Sequence, residues 1–193
     1  MTARRAALAA CVAAALAGGR GFAAAAFSSS DAGTSGADFL KLGIGARSVA
    51  MGGAVSASVS DPTALSWNPA GLAAVPGYSV STQHASYLGE ASYQHLGFAL
   101  PVRAAGGTAG FELLYMSAGD ISRADAAGND QGSFNPYNLA LAGGFARRLG
   151  LLEIGGTLRF IQSRILGTAS TAAADFGARV RAAPRLQLGA SLR

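Results

Sequence analysis

Lysine is nearly missing from this 193-residue chain: Lys41 stands alone, and every other basic residue is arginine. Charge of either sign is scarce, at 13% of residues, where a soluble domain carries about a quarter. There is one cysteine, Cys11, which excludes an internal disulfide and a thiolate metal site. There are two histidines, His84 and His95, too few for a histidine-built zinc centre on their own. No apolar run beyond the N-terminus is long enough for a spanning helix. The arginines do not cluster with aromatics, which argues against a nucleic-acid partner. What is abundant is apolar and small: 50% hydrophobic residues, 27 glycines and a mean hydropathy of +0.31. A chain that oily, with no helix to cross a bilayer, points to lipid solvation through β-strands.

Residues 1–26 read as a secretory signal peptide. Arg4 and Arg5 form the basic region, Ala6–Ala17 the apolar one, and Ala23–Ala26 offers a small-residue cleavage site. Cleavage there removes Arg4, Arg5, Arg20 and no acid, taking the formal charge from +5 to +2. It also removes Cys11, so the mature chain is expected to carry no thiol. Residues 27–76 follow as an N-terminal segment, opening on the Ser/Gly/Ala-rich stretch Phe27–Gly36. In Ala37–Ser60 the glycines Gly43, Gly45, Gly52 and Gly53 break both helix and strand periods, as tight packing inside another element would require.

The stretch Asp61–Leu72 predicts a short capped helix with a hard stop. Asp61 can accept from first-turn amides, and Pro62 suits the first helical position. Asn68-Pro69 ends the helix, and Gly71 allows a tight exit.

Residues 77–193 change to period two. Seven strands are expected: Tyr78–Tyr87, Tyr93–Leu100, Thr108–Met116, Tyr137–Ala146, Leu152–Gln162, Ala174–Ala182 and Leu186–Arg193. Five of them in succession set an oily face against a small or charged one, as in Leu152, Ile154, Leu158 and Phe160 against Glu153, Thr157 and Arg159. The connections are short at Arg103–Gly107 and Arg147–Leu151 and long at Ser117–Pro136. Strands of about ten residues with alternating short and long connections are the signature of a transmembrane barrel. The fold expected is therefore all-β, an antiparallel transmembrane β-barrel with an N-terminal plug containing a short helix. Bacterial single-chain barrels have even strand numbers. Seven strands predict either a piece of a longer barrel or an eighth strand from the Gly-rich N-terminal part.

Catalytic and metal chemistry finds little to stand on. If the first hairpin turns near Gly89-Glu90, His84 and His95 face each other, yet no further ligand sits at motif spacing. His84, Ser86 and Glu90 lack the order of a known triad. Gly43–Gly53 lacks the Lys-Ser/Thr of a phosphate loop. No enzyme, cofactor or metal is expected. Glu112, Glu153, Arg159, Asp175, Arg179 and Arg181 fall on the face assigned to the barrel lumen, where mixed signs favour structural ion networks over a solute path.

The order of Gly33–Arg47, Met51-Gly52-Gly53-Ala54, Asp61 and Trp67-Asn68-Pro69-Ala70-Gly71-Leu72 resembles the PorV/PorQ family of outer-membrane proteins, relatives of the FadL long-chain fatty acid transporters. The likeness covers about a third of the mature chain, and the strands beyond Tyr78 match in pattern only. The chain departs from the family at Ser66, where an aromatic is common, and at Pro62, where a second acidic residue is frequent. The resemblance implies a fourteen-stranded barrel, of which about seven strands are present here as an N-terminal fragment. It implies an inward plug bearing the motif Asp61, Pro62, Trp67, Asn68, Pro69, Ala70 and Gly71, and residence in the bacterial outer membrane. Two functions follow from it. One is a secretion-associated binding platform or envelope assembly component, with secreted proteins or type IX secretion components as partners. The other is a FadL-like transporter of hydrophobic small molecules. A third reading, a complete eight-stranded barrel of structural role, follows from strand count alone.

Overall fold

The computed structural model describes residues 37–87, 90–165 and 167–193. The expected signal peptide, the Phe27–Gly36 lead-in and the centre of the first hairpin turn lie outside the described residues. Residues from Ala37 to Arg193 form one compact unit.

Among the described residues, nine strands follow an N-terminal segment of short helical turns. They are β1 (Ser79–Ser86), β2 (Ser92–Val102), β3 (Gly107–Ser117), β4 (Ile121–Ala124), β5 (Asp130–Phe134), β6 (Tyr137–Leu149), β7 (Leu152–Arg164), β8 (Thr168–Ala183) and β9 (Leu186–Leu192). Seven make one antiparallel sheet in the order β1-β2-β3-β6-β7-β8-β9, curled into a half-barrel. The strands β4 and β5 form a separate two-stranded sheet. All seven strands expected from the alternation are therefore present in the large sheet. The β4–β5 hairpin inside the long connection was not expected; its strand residues other than Phe134 are exposed, so no apolar alternation marks it. Strand β8 also starts at Thr168, earlier than Ala174, because Ala169–Ala173 is small and polar and only pairing with β7 reveals it as strand.

The N-terminal segment contains a 3-10 turn (Asp38–Lys41), α1 (Ala46–Ala50), α2 (Ala64–Trp67) and a second 3-10 turn (Pro69–Ala74). Between Ala37 and Gly77 there is no strand, and β1 and β9 do not pair with each other among the described residues. An eighth strand from residues 37–77 is thus not formed. Glycine and Asn-Pro break every run there before an extended segment can develop.

The segment packs on the inner face of the sheet. One cluster joins Val55, Val59, Leu65 and Leu72 to Ala99 and Ala146, and a second joins Phe39 and Ile44 to Tyr93, Leu114, Ala140 and Ile161. The outer face is left bare: Phe111 is 55% exposed, Leu158 73% and Phe176 63%, with Leu96, Phe98, Leu141, Phe145 and Phe160 also exposed. Burial is one-sided, and the larger apolar residues lie on the uncovered side.

Candidate functional site: the seat of the Asn-Pro-Ala-Gly turn

Asp61 opens the motif by accepting from the Thr63 amide at 2.8 Å and the Thr63 hydroxyl at 2.5 Å. That local bonding explains why an Asp-Pro-Thr sequence starts a turn here. Helix α2 then runs for one turn and stops at Asn68, whose extended backbone (φ −159°, ψ 105°) is what a residue before proline adopts. The stop is softer than expected, because Pro69 at once begins a 3-10 turn capped by Asn68, whose Oδ1 accepts from the Ala70 amide at 3.1 Å. Gly71 does not supply a tight exit. It lies within that turn, and a Cβ there would stand 2.6 Å from the Val59 carbonyl oxygen.

Asn68 is fully buried, and its side-chain amide donates in three directions. Nδ2 lies 2.7 Å from the Ser56 carbonyl, 3.2 Å from Ala178 O on β8 and 3.3 Å from Ala190 O on β9. One short polar side chain thereby ties the turn to the preceding loop and to two strands. The turn comes this close because the wall beneath it is glycine. A Cβ on Gly155 would meet the Pro69 carbonyl carbon at 2.6 Å, and one on Gly177 would meet Asn68 Oδ1 and Pro69 Cδ. Gly110 and Gly144 make room in the same way for Leu72 and Leu65. Trp67 closes the other side, donating its indole N–H to Ile44 O at 2.9 Å.

Two ionic groups, each built on a buried carboxylate, flank this seat. In the first, Glu112 on β3 accepts from Arg159 on β7 at 3.0 Å and from the Ser66 hydroxyl of α2 at 2.7 Å. Arg159 also reaches Asp175 on β8 at 3.5 Å and donates to the Leu65 carbonyl at 3.3 Å. His95 Nε2 stands 3.2 Å from Glu112 Oε1, but neither atom makes a well-directed hydrogen bond. In the second, Glu153 receives Arg148 and Arg179, and Arg179 also donates to the Val59 carbonyl. Arg193 adds a bond to Ser66 O at 2.8 Å. Arginines from the sheet thus satisfy the carbonyls that a one-turn helix leaves free at its C-terminal end.

Of the charged residues assigned from sequence to one face, Glu112, Glu153, Arg159, Asp175 and Arg179 are buried against the N-terminal segment. Arg181 is not: it is exposed near the end of β8, past the covered area. His84 and His95 do not face each other. The register sets Gln83 opposite His95 and His84 opposite Gln94, so the two imidazoles leave the sheet on opposite faces. His84 sits 3.3 Å from Ser86 Oγ, both on exposed residues. Among the described residues, no three metal-binding side chains come together. Sequence reasoning missed the part played by His95 and Ser66; their strand parity and their place in α2 carried no signal of the Glu112 carboxylate they share. No known family, curated protein or solved structure matches the chain.

Proposed function

We propose that this chain is part of a plugged outer-membrane β-barrel of the PorV/PorQ type, acting as a binding platform or assembly component for exported proteins. The observation that carries the membrane reading is the inverted distribution of side chains. Charged residues are buried on the inner face, while phenylalanine and leucine cover the outer one. Each such side chain left in water forgoes about 1.5–3 kcal/mol of burial, which lipid would return. The outer-facing row of β6 runs Tyr137, Leu139, Leu141, Gly143, Phe145, Arg147 and, at the strand's end, Leu149, with ten residue steps from Tyr137 to Arg147. Ten residues of strand span about 34 Å, and a tilt near 40° projects that to roughly 26 Å, close to the apolar band of an outer-membrane barrel. Tyr115 and Tyr137 stack at one limit of the row, with ring centroids 6.0 Å apart, in the manner of an interfacial aromatic girdle.

The platform reading is favoured over transport by the seat of the plug. Asn68, Arg159, Arg179 and the Ser66–Glu112 bond hold it at several points, and glycines bring backbone against backbone. A moving hatch would have to break most of these together. Transport has one observation in its favour, a cavity of about 620 Å³ between α1 and β1, lined by Val49, Thr63, Ser81, Gln83 and His95. The test is extraction of the full-length protein from native membranes in mild detergent. The expected result is recovery from the outer-membrane fraction with protein partners in fixed stoichiometry. A bound lipidic molecule without protein partners would favour transport, and recovery from the soluble fraction would overturn both readings.

A further inference from the structure

The short-turn end of the sheet carries charge that the plug does not use. Arg103 lies in the β2–β3 turn, Arg147 near the end of β6, Arg181 near the end of β8 and Arg185 in the β8–β9 turn. All four are exposed, and none makes an ion pair or a side-chain hydrogen bond among the described residues. The carboxylate at this end of the strands, Glu153, is buried and already held by Arg148 and Arg179. Two of the free cations are neighbours. The Arg147 guanidinium packs over the β2–β3 turn that begins at Arg103, with Nε 3.7 Å from where a Gly106 Cβ would stand. Glu90, Asp120, Asp125 and Asp130 all lie at the opposite, long-loop end. Large apolar side chains interleave with the arginines: Tyr78 is 87% exposed, Leu151 67% and Leu186 51%.

We propose that this arginine rim is a docking surface for the phosphate headgroups of anionic phospholipids, in the leaflet that meets the short turns. The inference rests on the membrane reading above. Guanidinium is planar and forked, which suits a phosphate diester, and like charges gathered without an internal counter-ion call for an external anion. A lipid fits better than an acidic protein because of depth. Arg147 is the next outward-facing residue after Phe145 on β6, with only Leu149 beyond it before the strand ends, so it stands at the margin of the apolar row where headgroups begin. Leu151, Leu186 and Tyr78 at this end of the sheet would enter the acyl boundary while the guanidinium groups reach phosphate.

The full-length chain would be refolded into vesicles of phosphatidylcholine alone and of phosphatidylcholine mixed equally with phosphatidylglycerol. Trp67 fluorescence and resistance to protease would report insertion, and native mass spectrometry would report the lipid retained. Insertion into both is expected, with phosphatidylglycerol retained in preference. The triple variant Arg103→Gln, Arg147→Gln, Arg185→Gln should lose that preference by about tenfold or more, while the matching lysine variant, which keeps the charge but not the fork, should fall between it and the wild type. Insertion without a lipid preference in the wild type would overturn the rim proposal and leave the barrel standing. Failure to insert into either vesicle would remove the barrel reading and the rim together. Preferential retention of lipopolysaccharide from mixed vesicles would also overturn the proposal, by setting the rim in the other leaflet.

Discussion

Asn68 has the most exacting position in the molecule, because one amide group caps its own turn and bonds the carbonyls of Ser56, Ala178 and Ala190. Replacement by alanine removes the cap, usually about 1 kcal/mol, and strips buried carbonyls of a donor, at about 1–3 kcal/mol. Asn68→Ala should therefore lower the unfolding free energy by about 2–4 kcal/mol in a urea titration of the refolded protein. Gly177→Ala probes the same seat from the wall side, since its added methyl meets Asn68 and Pro69. It should cost about 1–3 kcal/mol. Arg159 is a different case, being the cation shared by Glu112 and Asp175. Arg159→Met leaves two buried carboxylates without it and should cost about 3–5 kcal/mol. Adding Glu112→Gln to Arg159→Met should cost less than the two changes summed, which a double-mutant cycle would measure. Strict additivity would mean that Glu112 and Arg159 do not act as a pair.

At the scale of elements, the β4–β5 hairpin stands apart from the rest of the sheet. Its turn is held by Asp125, which accepts from the Asn129 side chain at 2.8 Å and from the backbone amides of Asn129 and Ala127, each at 2.9 Å. The Asn129 side chain first, then its backbone amide, hold this carboxyl below the usual aspartate range. A carboxyl whose value is lowered on folding adds order that is complete above the ordinary aspartate value. That order is lost as pH falls through the lowered one. Acidification should thus free the Asn129 amide to exchange with solvent while the seven-stranded sheet stays protected, as NMR or mass-detected hydrogen exchange would show. Asp125→Asn should produce the same opening at neutral pH. If the protection of the Asn129 amide, taken against its intrinsic exchange rate at each pH, does not fall on acidification, the carboxylate is not what holds the turn.

For the molecule as a whole, the decisive contrast is between solvents. Leu158 is 73% exposed on the outer face and touches little of the protein. In water Leu158→Arg would be a surface change worth no more than about 0.5 kcal/mol. In a bilayer, arginine near mid-depth costs about 2–4 kcal/mol. Unfolding of the two proteins compared in phospholipid vesicles is expected to show the larger penalty, and a difference near zero there would count against the membrane reading. The same contrast separates the two faces, because Arg159 is tolerated on the inner face through Glu112, Asp175 and a carbonyl, whereas the strand partners of Leu158 are Gly143 and Ala174.

Alternation alone was enough to place all seven strands of the large sheet and to put Glu112, Glu153, Arg159, Asp175 and Arg179 on one face, because side-chain direction in a strand has period two and is a local property. Asn-Pro ended α2 for an equally local reason, the steric restriction on the residue before proline. Other features were decided only when distant segments met. The purpose of Gly155 and Gly177 depends on Pro69 and Asn68, many residues away. The β4–β5 hairpin and the first half of β8 have no apolar pattern, so pairing alone defines them. The register of β1 on β2 separated His84 from His95, since a shift of one residue reverses every side chain. The seat of the Asn-Pro-Ala-Gly turn belongs to this second kind. Its energy lies in hydrogen bonds spanning more than a hundred residues, such as Asn68 to Ala190, and no local sequence period records them.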